Sequence, residues 1–157
     1  MKVWRLQRRR FTPTASAAYG GDGAAQRGGR WNSRGVRVAY GASSRALALV
    51  ELLAHLDWGD LPDDLVLVGA SLPGPPLPPP PLPDGWDADP PTSASAAIGD
   101  GFVREGAALA LAVPSVVVAG EDNVLVNPAH RDFRRIAFDA PVPFLVDPRL
   151  RARSPGR

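Results

Sequence analysis

The chain has 157 residues, 45% of them hydrophobic and 22% charged. These ordinary globular proportions supply one domain's core and argue against disorder. It has no cysteine and only two histidines, His55 and His130, which excludes disulfides, thiolate nucleophiles and cysteine-based metal sites and makes any metal requirement unexpected. The net charge is +2, divided as +6 over residues 1–60, −6 over 61–101 and +2 over 102–157. That pattern suits an anionic small ligand or self-association better than duplex DNA, which calls for a concentrated basic stripe.

Val3–Phe11 is predicted as a first strand, with Trp4 and Leu6 on one face and Val3, Arg5 and Phe11 on the other. Its arginines, Arg5, Arg8, Arg9 and Arg10, place it at an edge or against a charged cleft. The basic start is not followed by an apolar stretch, so no signal peptide is expected. Ala15–Gly29 is rich in glycine and alanine and reads as loop or turn. Val36–Tyr40 follows as a short strand.

Ser43 or Ser44 caps a predicted helix over Arg45–Leu56, apolar nearly all round and therefore expected to be buried. Leu65–Leu72 reads as a strand. Pro73–Pro91 holds ten prolines in nineteen residues and is predicted to be an extended polyproline loop, since proline neither donates to a ladder nor continues a helix. Leu109–Val113 and Ser115–Ala119 are strand-like, with Pro114 between them. Asn123–Val126, Arg135–Phe138 and Pro143–Val146 are further extended pieces, and the tail from Arg151 is expected to fray. The longest apolar run, Ala107–Val113, falls far short of the ~20 residues of a membrane span. The sum is an α+β domain over residues 1–150, mostly short strands with a buried helix at 45–56 and a cytoplasmic location by default.

Glu51 lies mid-helix on a stripe with Ser44, Ala48 and His55, small and polar as on a face lining a cleft. The same stripe also fits a solvent-facing side or a structural ion pair. Gly28-Gly29-Arg30-Trp31-Asn32 joins a close backbone approach to a guanidinium able to grip phosphate or carboxylate and an indole able to stack. It also fits a tight turn with a surface arginine and a core tryptophan. It is not a dinucleotide fingerprint, because spacing and βαβ context are wrong. Ser115 follows Pro114 and reads either as a backbone-bonded hydroxyl or as a site residue. A serine-hydrolase set of Ser115, His130 and Asp139 lacks the nucleophile elbow, and His130 is read as structural. Glu51 and His55 lack a third partner for a metal.

In order along the chain, these pieces resemble the RES-domain family of bacterial toxins, named for an arginine, a glutamate and a serine. The matching positions are Arg30 in GGRWN, Glu51 in ALALVELLAH and Ser115 in AVPS. Trp4-Arg5, Val38-Ala39-Tyr40, Gly99-Asp100-Gly101-Phe102, Asn123 to His130 and Asp147 to Leu150 extend the match across residues 4–150. Phe102 stands where the family pattern has tryptophan, and the proline stretch is heavier than the pattern. The resemblance implies a fold related to ADP-ribosyltransferases and an NAD cleft. It implies breakage of the nicotinamide–ribose bond, with transfer of ADP-ribose to water, phosphate or protein and NAD as a substrate rather than a resident cofactor. It further implies an Xre-family antitoxin that occludes the site in a type II toxin–antitoxin pair, with a homodimer also allowed.

On that reading Glu51 stabilises positive charge developing on ribose, paired with Arg30, which also meets phosphate. Tyr40 stacks on nicotinamide or holds a ribose. Ser115 bonds ribose or steadies Glu51, and Arg5 is a second cation. The competing expectation is a non-catalytic module that docks a partner through its proline-rich loop.

Overall fold

The computed structural model describes residues 1–56 and 60–150. Its elements are β1 (Lys2–Arg8), α1 (Asp22–Arg27), β2 (Ala39–Ala42), α2 (Arg45–Ala54), β3 (Leu65–Ser71), α3 (Ser93–Glu105), β4 (Ala110–Pro114), β5 (Asp122–Val126), β6 (Ala137–Phe138) and β7 (Val142–Pro143). The strands form one mixed-order antiparallel sheet, β4-β5-β2-β1-β3-β6, with β7 also pairing β3. The domain is thus a small α+β unit. No helix among the described residues is long and apolar enough to cross a membrane.

The pairing is uneven along the sheet. β1 and β3 match over seven register pairs, from Lys2↔Ser71 to Arg8↔Leu65. β1 and β2 share the single pair Trp4↔Ala42. Side-chain alternation then sorts the core. Val3, Val68 and Val124 face Tyr19, whose hydroxyl lies 3.3 and 3.1 Å from the Val3 and Val68 carbonyls. On the opposite side Leu6, Leu65 and Leu67 meet Leu47 and Ala48 of α2, while Leu111, Val113 and Leu125 meet Trp31 and Phe102.

Several elements depart from the sequence expectation for identifiable reasons. The first strand stops at Arg8, and Arg9–Phe11 make a 3-10 turn. Ala15–Gly29 is not plain loop: it holds a 3-10 turn at Ser16–Tyr19 and all of α1. Its glycines mark helix ends rather than absence of helix, Gly21 standing before α1 with φ +76° and Gly28 after it with φ +73°. α2 ends at Ala54 and is buried on one side only, with Leu47 and Ala48 inside and Arg45, Ala46, Val50 and Ala54 exposed. It packs on one face of the sheet, and among the described residues its other side is exposed.

Ser115–Ala119 forms a turn instead of a strand. The Ser115 Oγ accepts from the Val117 and Val118 amides at 3.1 and 2.9 Å, curling the chain after β4. Pro73–Pro91 contains no helix, and its one ladder contact is Leu77, bridged to Leu111 of β4. The expected tail from Arg151 lies outside the described residues.

α3, like α1, is an element that sequence periodicity missed. Its segment, SASAAIGDGFVRE, carries two glycines and little apolar mass. Thr92 Oγ1 caps its start by accepting from the Ser95 amide, and Gly106, with φ +60°, ends it. Gly99 is required by contact: a Cβ there would sit 1.7 Å from the Trp31 carbonyl oxygen. Gly101 has room for one, a built Cβ meeting only flexible side-chain ends, Arg104 at 3.7 Å and Glu105 at 3.9 Å.

These two glycines therefore respond oppositely to alanine. Gly99→Ala must push α3 off the Trp31 backbone and is expected to cost about 2 kcal/mol or more. Gly101→Ala removes a flexible residue from a helix interior and is expected to gain about 0.5–1 kcal/mol. Urea unfolding of both variants beside the parent checks the pair.

Candidate active site

Glu51 lies on the inner stripe of α2, half-buried, and its Oε1 receives two hydrogen bonds. The Ser115 hydroxyl donates at 2.7 Å and the Asn123 amide at 2.5 Å. The three residues come from α2, the turn after β4 and the start of β5. Ser44, on the same stripe, caps α2 by accepting from the Leu47 amide and donates to Glu121 at 3.4 Å. This fixes the helix against the same turn. The stripe therefore faces protein and site, not bulk solvent, except at its end, where His55 is exposed.

Hydrogen-bond accounting narrows the role of Ser115. A serine hydroxyl has one proton and two lone pairs. The two amides of Val117 and Val118 fill the acceptor side, and Glu51 takes the proton. The hydroxyl is fully committed and only 4% of the residue is exposed. Ser115 thus steadies Glu51 and is not placed to bind a ribose. His130 caps the 3-10 turn Arg131–Arg135, its Nδ1 accepting from the Asp132 amide, in keeping with its structural reading.

Arg30 does not pair with Glu51, contrary to expectation. Its Nη1 donates to the carbonyls of Trp86 and Ala88 at 2.7 and 2.8 Å. The carboxylate is instead tolerated through a hydroxyl and an amide, neutral donors that stabilise a charge without a counter-ion. Trp31 is only 2% exposed and stacks on Trp86, with ring centroids 5.9 Å apart and planes at 24°. It belongs to the core and is unavailable to a ligand. The GGRWN segment is a tight turn closed by the Gly29 amide on the Asn32 carbonyl at 2.9 Å.

Tyr40 organises that turn. Its hydroxyl donates to Asn32 Oδ1 at 2.7 Å and accepts from the Trp31 amide at 3.1 Å. Both uses are internal, the proton and one acceptor position of the hydroxyl going to the GGRWN turn. Asn32, 1% exposed, uses its amide on the carbonyls of Ala24, Ser33 and Val36. Arg5 alternates to the Val3 side of β1, away from α2, and donates through Nη1 to the Tyr40 carbonyl at 2.6 Å and through Nε to Gln7. Burial holds its guanidinium below the ordinary arginine value, with Tyr19 and Tyr40 acting in the opposite direction. Arg5 therefore reaches the site through the Tyr40 backbone and does not touch Glu51.

Asn123 is the site residue that sequence reasoning left unassigned. An asparagine between two acidic residues and an apolar run signals little by itself. Its register opposite Ala42 of β2 and Val113 of β4 places it on the α2 side of the sheet. One concavity of about 380 Å³ is lined by Leu77, Pro80, Ile98, Phe102, Arg104 and Leu111 among others and includes none of these site residues. It is a packing groove beside α3, and the hydrogen-bonded carboxylate is the better guide to chemistry.

Both tyrosines of the chain, Tyr19 and Tyr40, are raised well above the ordinary value of 10.0, chiefly by burial. A raised folded-state value contributes stability below pH 10 that is lost as pH climbs beyond it. The urea midpoint is expected to hold near about pH 8 and fall toward about pH 11, with tyrosinate absorbance appearing only on unfolding. Tyrosinate forming in the folded protein at its ordinary pH would contradict this packing.

Comparison with known proteins places the chain among described relatives. The RES domain family model matches residues 2–147. The chain is 40% identical over 136 residues to the Prs ADP-ribosylating toxin of Sphingobium sp. (strain YBL2), covering 83% of this chain and 84% of that protein. It is 32% identical over 155 residues to Toxin Res of Yersinia enterocolitica, covering 96% and 100%. With Toxin Res of Photorhabdus laumondii it shares 32% over 138 residues, 86% of each. Sequence motifs, the matched span and these relatives together establish that the chain belongs to the RES-domain toxin family.

Proposed function

We propose that this toxin breaks the nicotinamide–ribose bond of NAD and passes ADP-ribose to an acceptor. The observation that carries the reading is the Glu51 carboxylate, held on one oxygen by Ser115 and Asn123. As the glycosidic bond breaks, its electron pair leaves with nicotinamide and positive charge develops on the ribose. A carboxylate fixed in advance stabilises that charge more in the transition state than in the ground state. With Oε1 engaged, Oε2 is the oxygen that faces the reaction or a ribose hydroxyl, since it has no hydrogen-bond partner among the described residues. Arg30, whose contacts are both neutral carbonyls, keeps its positive charge for the diphosphate.

Tyr40 and Arg5 serve in this scheme through the turn that carries Arg30. Kinship with the ADP-ribosyltransferase fold belongs to the same proposal. The acceptor is water, phosphate or protein. A protein acceptor is favoured by one observation, the name of the Sphingobium relative, which specifies ADP-ribosylation of Prs. An Xre-family antitoxin completes the reading. Val50, Val116 and Val117, 37–42% exposed and within two positions of Glu51 or Ser115 in sequence, offer an apolar rim for an occluding partner.

Purified protein incubated with NAD is expected to release nicotinamide, and labelled ADP-ribose is expected on added Prs. Phosphate-dependent release without protein labelling would make phosphate the acceptor. Glu51→Gln should keep the fold and lose about 100-fold or more in turnover. Asn123→Ala, which removes one donor to a charged group, should lose about tenfold or more. Absence of nicotinamide release, or normal turnover by Glu51→Gln, would defeat the proposal.

A further inference from the structure

The proline-rich segment has no part in the chemistry just described, yet its far end touches Arg30, the residue proposed above to meet the diphosphate. Leu77 fastens the segment to the sheet: its amide donates to the Ala110 carbonyl and its carbonyl accepts from the Ala112 amide, both at 2.9 Å. Leu82 and Trp86 then pack on the cluster of Trp31, Val38, Phe102 and Leu111. A turn follows, closed by the Trp86 amide on the Pro83 carbonyl and the Ala88 amide on the Gly85 carbonyl. That turn aims the carbonyls of Trp86 and Ala88 at Arg30.

The chemistry of this contact is selective. A guanidinium has five N–H donors. The two carbonyls use those of Nη1, leaving the Nε and Nη2 edge, the fork that grips phosphate in a bidentate manner. Because carbonyls are neutral, the full positive charge remains for a ligand. Asp87, between the two contacting residues in sequence, is exposed and is not hydrogen-bonded to Arg30. Prolines before the turn restrict the free chain and lower the entropy lost in holding this geometry.

We infer that residues 77–88 form a strap that presents Arg30 to the diphosphate of a nucleotide, with Trp86 as its positioning residue. The inference rests on the function proposed above and adds a specific element to it. Trp86 does not touch the ligand. Its stacking on Trp31 fixes the backbone whose carbonyls orient the guanidinium.

ADP-ribose titrated calorimetrically into the intact protein reads the effect without turnover. Trp86→Leu keeps an apolar side chain on the cluster but loses the stack, and is expected to weaken ADP-ribose about tenfold or more. Trp86→Phe, which restores an aromatic face, is expected to recover most of the affinity. In an Arg30→Ala background Trp86→Leu should add almost nothing, because the two residues act as one unit. In NAD turnover Trp86→Leu should raise KM with little change in kcat.

Unchanged affinity in Trp86→Leu would overturn the strap, as would an equal loss with and without Arg30. Tighter binding would overturn it too, since the strap would then compete with the ligand. The function proposed above fails differently, in the unmodified protein, by absence of both ADP-ribose binding and nicotinamide release.

Discussion

The seam between β1 and β2 is the constraint on which the site depends. Two strands that share one register pair leave backbone groups without ladder partners, and a buried carbonyl needs a donor. Arg5 supplies it at Tyr40. The same residue's phenol crosses to the GGRWN turn, taking the Trp31 amide and giving its proton to Asn32. One residue thus ties the seam to the turn that carries Arg30. Glycine at position 29 follows from this, because a Cβ there would lie 2.8 Å from the Tyr40 hydroxyl. Tyr40 thus holds the turn that carries the Arg30 guanidinium.

The anionic and cationic groups of the proposed site are supported separately. Glu51 is set by α2, the turn after β4 and the start of β5. Arg30 is set by Tyr40, Asn32 and the strap. Neither charge neutralises the other, and each is solvated by neutral dipoles. A direct Arg30–Glu51 ion pair would satisfy both groups and oppose both uses, since a ligand would have to break it. Dipolar support fixes position while leaving charge to act, which is the condition for electrostatic preorganisation.

Much of this was legible in the sequence, and the failures have physical causes. The capped helix expected at 45–56 and the strands expected at 65–72 and 123–126 follow from apolar runs and fall within one or two residues of the observed Arg45–Ala54, Leu65–Ser71 and Asp122–Val126. Glu51 stood out as a carboxylate within such a run. Partners were not legible: spacing shows that a buried charge needs company, but not which donor folding brings to it. Asn123 was hidden because strand and turn both use asparagine. α3 was hidden because its burial relies on glycine approaching a backbone, a contact with no hydropathy signal. Trp31 was ambiguous between ligand platform and core until Trp86, 55 positions along the chain, was found stacked on it.

The prolines have a second consequence at the sheet edge. β4 ends the strand order, and an open edge strand is a template for pairing with another chain. Leu77 occupies the edge at one residue. Its neighbours Pro75, Pro76 and Pro78 to Pro81 have no amide proton, so the ladder cannot grow past it. The edge is covered without becoming a longer sheet, and the chain leaves it already extended. That direction carries it over the Trp31 cluster toward Arg30. The composition that forbids regular structure in this segment is therefore what lets one chain segment close the sheet at one end and support the cation at the other.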